Sequence, residues 1–129
     1  MDKRTFLKHL LLAPAALAAS GAQPARAEQR LLVLRTPING LAYYDAARVL
    51  AQMAPDDPLR LVREPDNPHD PRAVALYWQE HKLGFIPRLS NLALAQMLDR
   101  NERLEACIAA LDPRLLPYRG IEVAVEWLG

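Results

Sequence analysis

The chain of 129 residues contains one cysteine, Cys107, so no disulfide can form within it. The fold must rest on its apolar core, and Cys107 itself is expected as a small buried strand residue. No charge of either sign prevails, with 16 Lys and Arg against 15 Asp and Glu. Nucleic-acid binders usually carry a clear basic excess, so any polyanion would have to be met by a local patch. Internal repeats and low-complexity stretches are missing from residues 28–129. So are a Gly-rich phosphate loop, a nucleophile paired with a base, and a His/Cys cluster. Without these the sequence offers no basis for catalysis or for structural zinc, which wants four N or S ligands. No metal and no cofactor are expected.

Long apolar runs are missing too. The longest, Leu10 to Ala19, is interrupted by Pro14 and is shorter than the roughly 20 residues that span a bilayer. It follows a basic start, Lys3, Arg4 and Lys8, and precedes the small-residue end Ala25-Arg26-Ala27. That layout predicts an export signal over residues 1–27, cut after Ala27, and a mature domain over 28–129 without a transmembrane segment. Lys3-Arg4-Thr5-Phe6-Leu7-Lys8 resembles a twin-arginine signal with lysine in place of the first arginine, which leaves the Tat and Sec routes both open. No cysteine stands near the cut to carry a lipid. Loss of Lys3, Arg4, Lys8, Arg26 and Asp2 leaves 12 bases against 14 acids, a net of −2. The expected location is the periplasm, or the cytoplasm if residues 1–27 are instead an uncleaved amphipathic arm.

Within 28–129 the patterning is that of strands. Leu31–Leu34 is a continuous apolar run. Leu59–Arg63, Ala73–Trp78, Lys82–Ile86, Leu104–Ala110 and Ile121–Trp127 follow, several of them alternating as half-buried strands do. In the last, Ile121, Val123, Val125 and Trp127 form the apolar face. Gly84 inside a strand predicts a bulge or a close backbone approach. Ala46, Val49, Leu50 and Met53 recur at helical spacing. A second helix, capped by Ser90, carries Leu94, Met97 and Leu98 on one face to Asp99 or Arg100. Of Tyr43 and Tyr44, one is expected in the core and one on the surface. Six short strands with one or two short helices predict a mainly β fold, a small OB-like or SH3-like barrel. Closure of the barrel would protect its strand edges.

Between the second and third strands lies Arg63-Glu64-Pro65-Asp66-Asn67-Pro68-His69-Asp70-Pro71-Arg72. Its prolines each set their own φ and bias the residue before, and its Asx residues bond backbone two residues on. The loop is therefore expected to be stiff, fit either to hold a ligand or to turn a corner. Asp66, His69 and Asp70 could be read as metal donors, but three donors on so short a turn rarely converge. Arg60, Arg63, Arg72, Lys82 and Arg88 could form a basic strip or a solvated surface.

This loop, the following Lys82-Leu83-Gly84-Phe85-Ile86-Pro87-Arg88, then Asn91 with Leu94, Ala95 and Leu98, and Gly40 with Tyr43-Tyr44 upstream, together resemble the HIRAN domain. The resemblance covers nearly all of 31–128. It implies a modified OB-like barrel that, in fork-remodelling helicases of the Swi/Snf type, captures the 3′ end of a single DNA strand. There an acidic residue reads the 3′-hydroxyl, aromatics stack on bases and basic residues hold phosphates. Carried over, Tyr43 matches the stacking tyrosine, Asn67 and Asp70 the loop residues at the terminal sugar, and Arg88 a basic position near the phosphates. The chain departs from that pattern twice. Ala42 replaces an arginine, and His69 replaces a tyrosine, its imidazole serving as a partial substitute. The resemblance implies a non-enzymatic module whose site is Tyr43, Asn67, His69, Asp70 and Arg88, with single-stranded nucleic acid or a nucleotide as ligand. The export signal and the acidic balance favour the alternative, a domain that docks an envelope protein and has no affinity for nucleic acid.

Overall fold

Ala73–Trp78 forms β3, and its residues set the middle of the molecule. Val74, Leu76 and Trp78 enter the core, and Ala73 and Ala75 are buried as well. The alternation predicts a half-buried strand, yet both faces of β3 are covered. A helix, α2 (Asn91–Asp99), packs against it and against β2 (Pro58–Glu64). In this computed structural model, which describes residues 29–129, the remaining strands are β1 (Arg30–Pro37), β4 (His81–Phe85), β5 (Leu104–Leu111) and β6 (Ile121–Leu128). The predicted signal over 1–27 lies outside the described residues.

The six strands form one antiparallel sheet in the order β1-β6-β5-β2-β3-β4. β2 makes the curl. Its Pro58 and Leu59 pair with Cys107 and Ala106 of β5, and from Arg60 onward it pairs with β3 instead. The predicted mainly β, OB-like architecture is the observed one, but no ladder closes the sheet. The chain just past β1 meets β4 at one isolated bridge, where Asn39 and Phe85 exchange two backbone hydrogen bonds of 2.9 Å. Leu41, Leu76, Leu83, Ile86, Leu94, Ile108, Ile121 and Val125 fill the interior. Each such side chain contributes roughly 1.5–3 kcal/mol on burial, which is how a domain without a disulfide holds together.

Several local expectations change in three dimensions. The run from Ala46 is one α-helical turn, α1 (Ala46–Val49), which tightens into a 3-10 turn over Leu50–Gln52. Ser90 precedes α2 but its side chain caps nothing. Of the predicted stripe on α2, Leu94 is buried while Met97 and Leu98 are half-buried. Neither Tyr43 nor Tyr44 is core. Leu31 and Leu32 are exposed on the β1 edge. Cys107 is half-buried, with its thiol raised above the usual range by burial and by the nearby Asp56 and Glu126 charges. Alternation in β6 holds to Val125 and then breaks, so that Leu128 is buried. Trp127 stays half-exposed, its indole N–H donating to Glu102 Oε1 at 2.7 Å.

Gly84 meets both of its sequence expectations. The β3–β4 register slips between Leu76 and Tyr77, and Gly84 sits at φ 149° with Asn39 pressed against it. A Cβ there would run into the Asn39 carbonyl and stand 2.8 Å from Ile38 Cγ2. Backbone strain alone at such a φ is worth about 1–3 kcal/mol. Gly84→Ala should therefore lower stability by at least about that much, read as a shift of the urea midpoint with an unchanged slope.

Candidate functional site

The loop from Glu64 to Ala73 is held from within by Asn67. Its Oδ1 accepts the backbone N–H of His69 at 2.8 Å and of Asp70 at 3.1 Å. Its Nδ2 donates to Glu64 Oε1 at 3.0 Å. Glu64 Oε2 in turn takes Lys82 Nζ at 2.7 Å. Burial of Glu64 raises its pKa, but the bonds from Lys82 and Asn67 outweigh that, and the group ends below the usual carboxylate range. Burial lowers Lys82, while the Glu64 bond and charge more than restore it, leaving it raised. A chain of polar contacts thus runs from β4 through the end of β2 into the loop.

Asp70 is tied at both oxygens. Oδ1 accepts the Arg72 backbone N–H at 2.9 Å, and Oδ2 accepts Asn91 Nδ2 at 2.7 Å. Arg88 Nε stands 3.8 Å from Oδ2. The Arg72 amide first, then the Asn91 amide and the Arg88 and Arg72 charges, hold the carboxyl below its ordinary value against a contrary effect of burial. An ionised carboxylate has about four lone-pair positions, so Asp70, though only 8% exposed, keeps some beyond these two amide bonds.

These groups border a groove of about 260 Å³, lined by Asn39, Gly40, Tyr43, Tyr44, Asn67, His69, Asp70, Ala73, Phe85, Ile86 and Arg88. All five sequence-predicted residues line it. Tyr43 is 85% exposed, on a 3-10 turn that Gly40 opens with a left-handed φ of 81°. The Arg88 side chain is 69% exposed. Tyr44 and Phe85 were not among the predicted site residues. Their rings meet edge to face at 5.8 Å, with Lys82 Nζ 5.0 Å from the Tyr44 centroid and 4.5 Å from that of Phe85. Phe85 is signalled in the sequence by its place in the Leu83-to-Arg88 strand end, and Tyr44 by its neighbour.

The basic strip does not form as one surface. Arg63 bonds Asp99 at 2.9 and 3.3 Å and the carbonyls of Pro71 and Ala73. Lys82 is taken by Glu64, and Arg60 reaches the Gln79 carbonyl while lying over Tyr77. Of the five cations, only Arg88 lines the groove. Among the described residues no three His, Cys, Asp or Glu side chains are grouped to hold a metal ion. A larger hollow of about 800 Å³ opens where β2 leaves β5. Its lining, which includes the ion-paired Arg30, Glu105 and Glu126, holds no aromatic ring.

A family model described as the HIRAN domain matches residues 31–123. Among solved structures, a protein from Lactobacillus plantarum superposes with a TM-score of 0.68 at 24% identity, covering 78% of this chain and 97% of that one. The HIRAN domain of human HLTF superposes with a TM-score of 0.63 at 20% identity, covering 78% and 79%. At these identities the two likenesses carry the fold. Among curated proteins none matches.

An acid held below its unfolded value contributes stability above that value and loses it as pH falls through the native one. Asp70, ordinarily near 3.8, should therefore steepen the loss of stability on the acid side. In denaturant melts taken from about pH 5 downward, Asp70→Asn should lose less stability over the same interval than the parent protein.

Proposed function

This chain belongs to the HIRAN domain family, and on that premise we propose that its groove is a binding site for single-stranded nucleic acid, with the 3′ end of a DNA strand as the preferred ligand. The module does no chemistry of its own. The observation that carries this reading is the convergence on one hollow of an exposed ring, Tyr43, an exposed cation, Arg88, and a carboxylate, Asp70, that is only 8% exposed but lines the hollow and keeps lone pairs beyond its two amide bonds. An aromatic face stacks on any base. Arginine pairs with phosphate as a planar fork. A carboxylate accepts from a hydroxyl and repels a phosphate, so Asp70 would favour a strand ending in a free hydroxyl. His69 supplies a second ring at the mouth, and Phe85 an apolar floor. Affinity depends on this local arrangement, since the net charge of the domain gives no general attraction.

A second reading draws on the N-terminal layout and the −2 balance of residues 28–129. Export through residues 1–27 would place the domain in the periplasm, where an envelope protein could be its partner. Identifying the mature N-terminus in fractionated cells tests the location, with Glu28 in the periplasmic fraction as the expected result.

Fluorescence anisotropy with short single strands ending in a 3′-hydroxyl or a 3′-phosphate tests the binding. Tyr43→Ala should cost about 1–3 kcal/mol of affinity for both strands. Arg88→Gln should reduce the logarithmic salt slope by about 0.7, the single-strand value for one phosphate contact. Asp70→Asn should leave binding in place but equalise the two ends. Equal affinity of the parent protein for both strands would remove end reading, and no binding at all would leave the envelope-partner reading.

A further inference from the structure

Among the described residues Asn91 is the one fully buried polar side chain of the core, at 0% exposure, and it is the first residue of α2. Its Nδ2 donates to Asp70 Oδ2 at 2.7 Å, while its Oδ1 is buried with no partner. The amide cannot be turned round to relieve this, because Oδ1 would then face the carboxylate. A buried acceptor without a bond is costly, and an apolar side chain would suit the surrounding Leu94 and Ala95 better. What the amide does here is reach out of the core, across 21 residues of sequence, to one oxygen of the groove carboxylate. The other oxygen is held only by its own loop, through the Arg72 N–H. Asn91 is therefore the link between Asp70 and the packed part of the molecule.

We propose that Asn91 is a positioning residue for end recognition, orienting the Asp70 carboxylate so that its free lone pairs face the groove. The inference rests on the nucleic-acid reading of that groove and adds to it a buried residue that does not line it. Without the amide, Asp70 is free to rotate about its side-chain bonds and to close on Arg88, whose Nε already stands 3.8 Å away. Its free lone pairs would then turn from the groove to Arg88, whose exposed fork keeps other donors for a phosphate.

The test compares 3′-hydroxyl and 3′-phosphate strands on the full-length protein, as a ratio of affinities, for the parent, Asn91→Ala and Asn91→Asp. Asn91→Ala should cut the ratio by roughly tenfold, the loss of one hydrogen bond to a charged group, while the 3′-phosphate affinity stays as it was. Asn91→Asp keeps the shape and places a second carboxyl against the first. Two such groups share one proton. In its protonated form the new side chain donates as the amide did, and in its ionised form it repels Asp70. The end preference of Asn91→Asp should therefore return as pH is lowered. The other groups around Asp70 are His69 and Arg72 on the loop and Arg88 before α2, and the parent shares them, so its pH profile isolates the new pair. A purely structural role for Asn91 predicts no such pH-dependent recovery. Binding of the 3′-phosphate strand in the same samples reports that each variant is folded, and Asn91→Asp decides the matter if Asn91→Ala is not. A parent that prefers the hydroxyl end, with variants that keep that preference at every pH, overturns the positioning role alone. A parent that binds with no end preference removes end reading by the groove, and this inference with it.

Discussion

The amide of Asn67 is the constraint on which the site depends. A loop with prolines at 65, 68 and 71 is short of donors, and the N–H groups it does have must find acceptors. One side-chain oxygen takes two of them, at His69 and Asp70, and so folds the chain back on itself. The other end of the same side chain grips Glu64, which grips Lys82. Asp70 then repeats the device one step on, accepting the Arg72 N–H. The stiffness of the loop comes from Asx side chains standing in for backbone acceptors, with the prolines narrowing what the chain could do otherwise.

On the proposed reading this arrangement also answers how a domain with little net charge would attract an anionic strand. Most of its cations are spent inside the protein, Arg63 on Asp99 and two carbonyls, Lys82 on Glu64. Arg88 is different. Its contact with Asp70 is long and its side chain largely in water, so little is lost when it turns to a phosphate. Lys82 contributes indirectly, lying over the Tyr44 and Phe85 rings without lining the groove. On the proposed reading the groove selects by the placement of a few groups, and distant charges are screened within about 10 Å at ordinary salt.

Much of the fold and of the site is legible in the order of the residues. Strand positions follow from alternation at 73–78 and 121–125, since side chains of a strand point to opposite faces in turn. Gly84 announces its close contact because a residue without Cβ in a strand serves little other purpose. The loop announces its stiffness through Pro and Asx chemistry, and the five candidate residues all lie on one groove. Exposure is less legible. Tyr43 and Tyr44 both stay out of the core, the first on a 3-10 turn and the second packed edge-on against Phe85. Trp127 gives its place to Leu128, which is buried, while the Trp127 indole N–H bonds Glu102.

Residue order settles what local physics governs: which stretches extend, where the chain turns, and that the turn before β3 is rich in Pro and Asx residues that can brace it. Who meets whom is settled in three dimensions. That Asn39 bridges Phe85, that β2 changes partners at Arg60, and that Asn91 reaches Asp70 all depend on segments far apart in the chain being brought together by the curl of the sheet. A side chain's chemistry states what bonds it can make. The packing of a shared core, to which every strand contributes, selects the one that it does make.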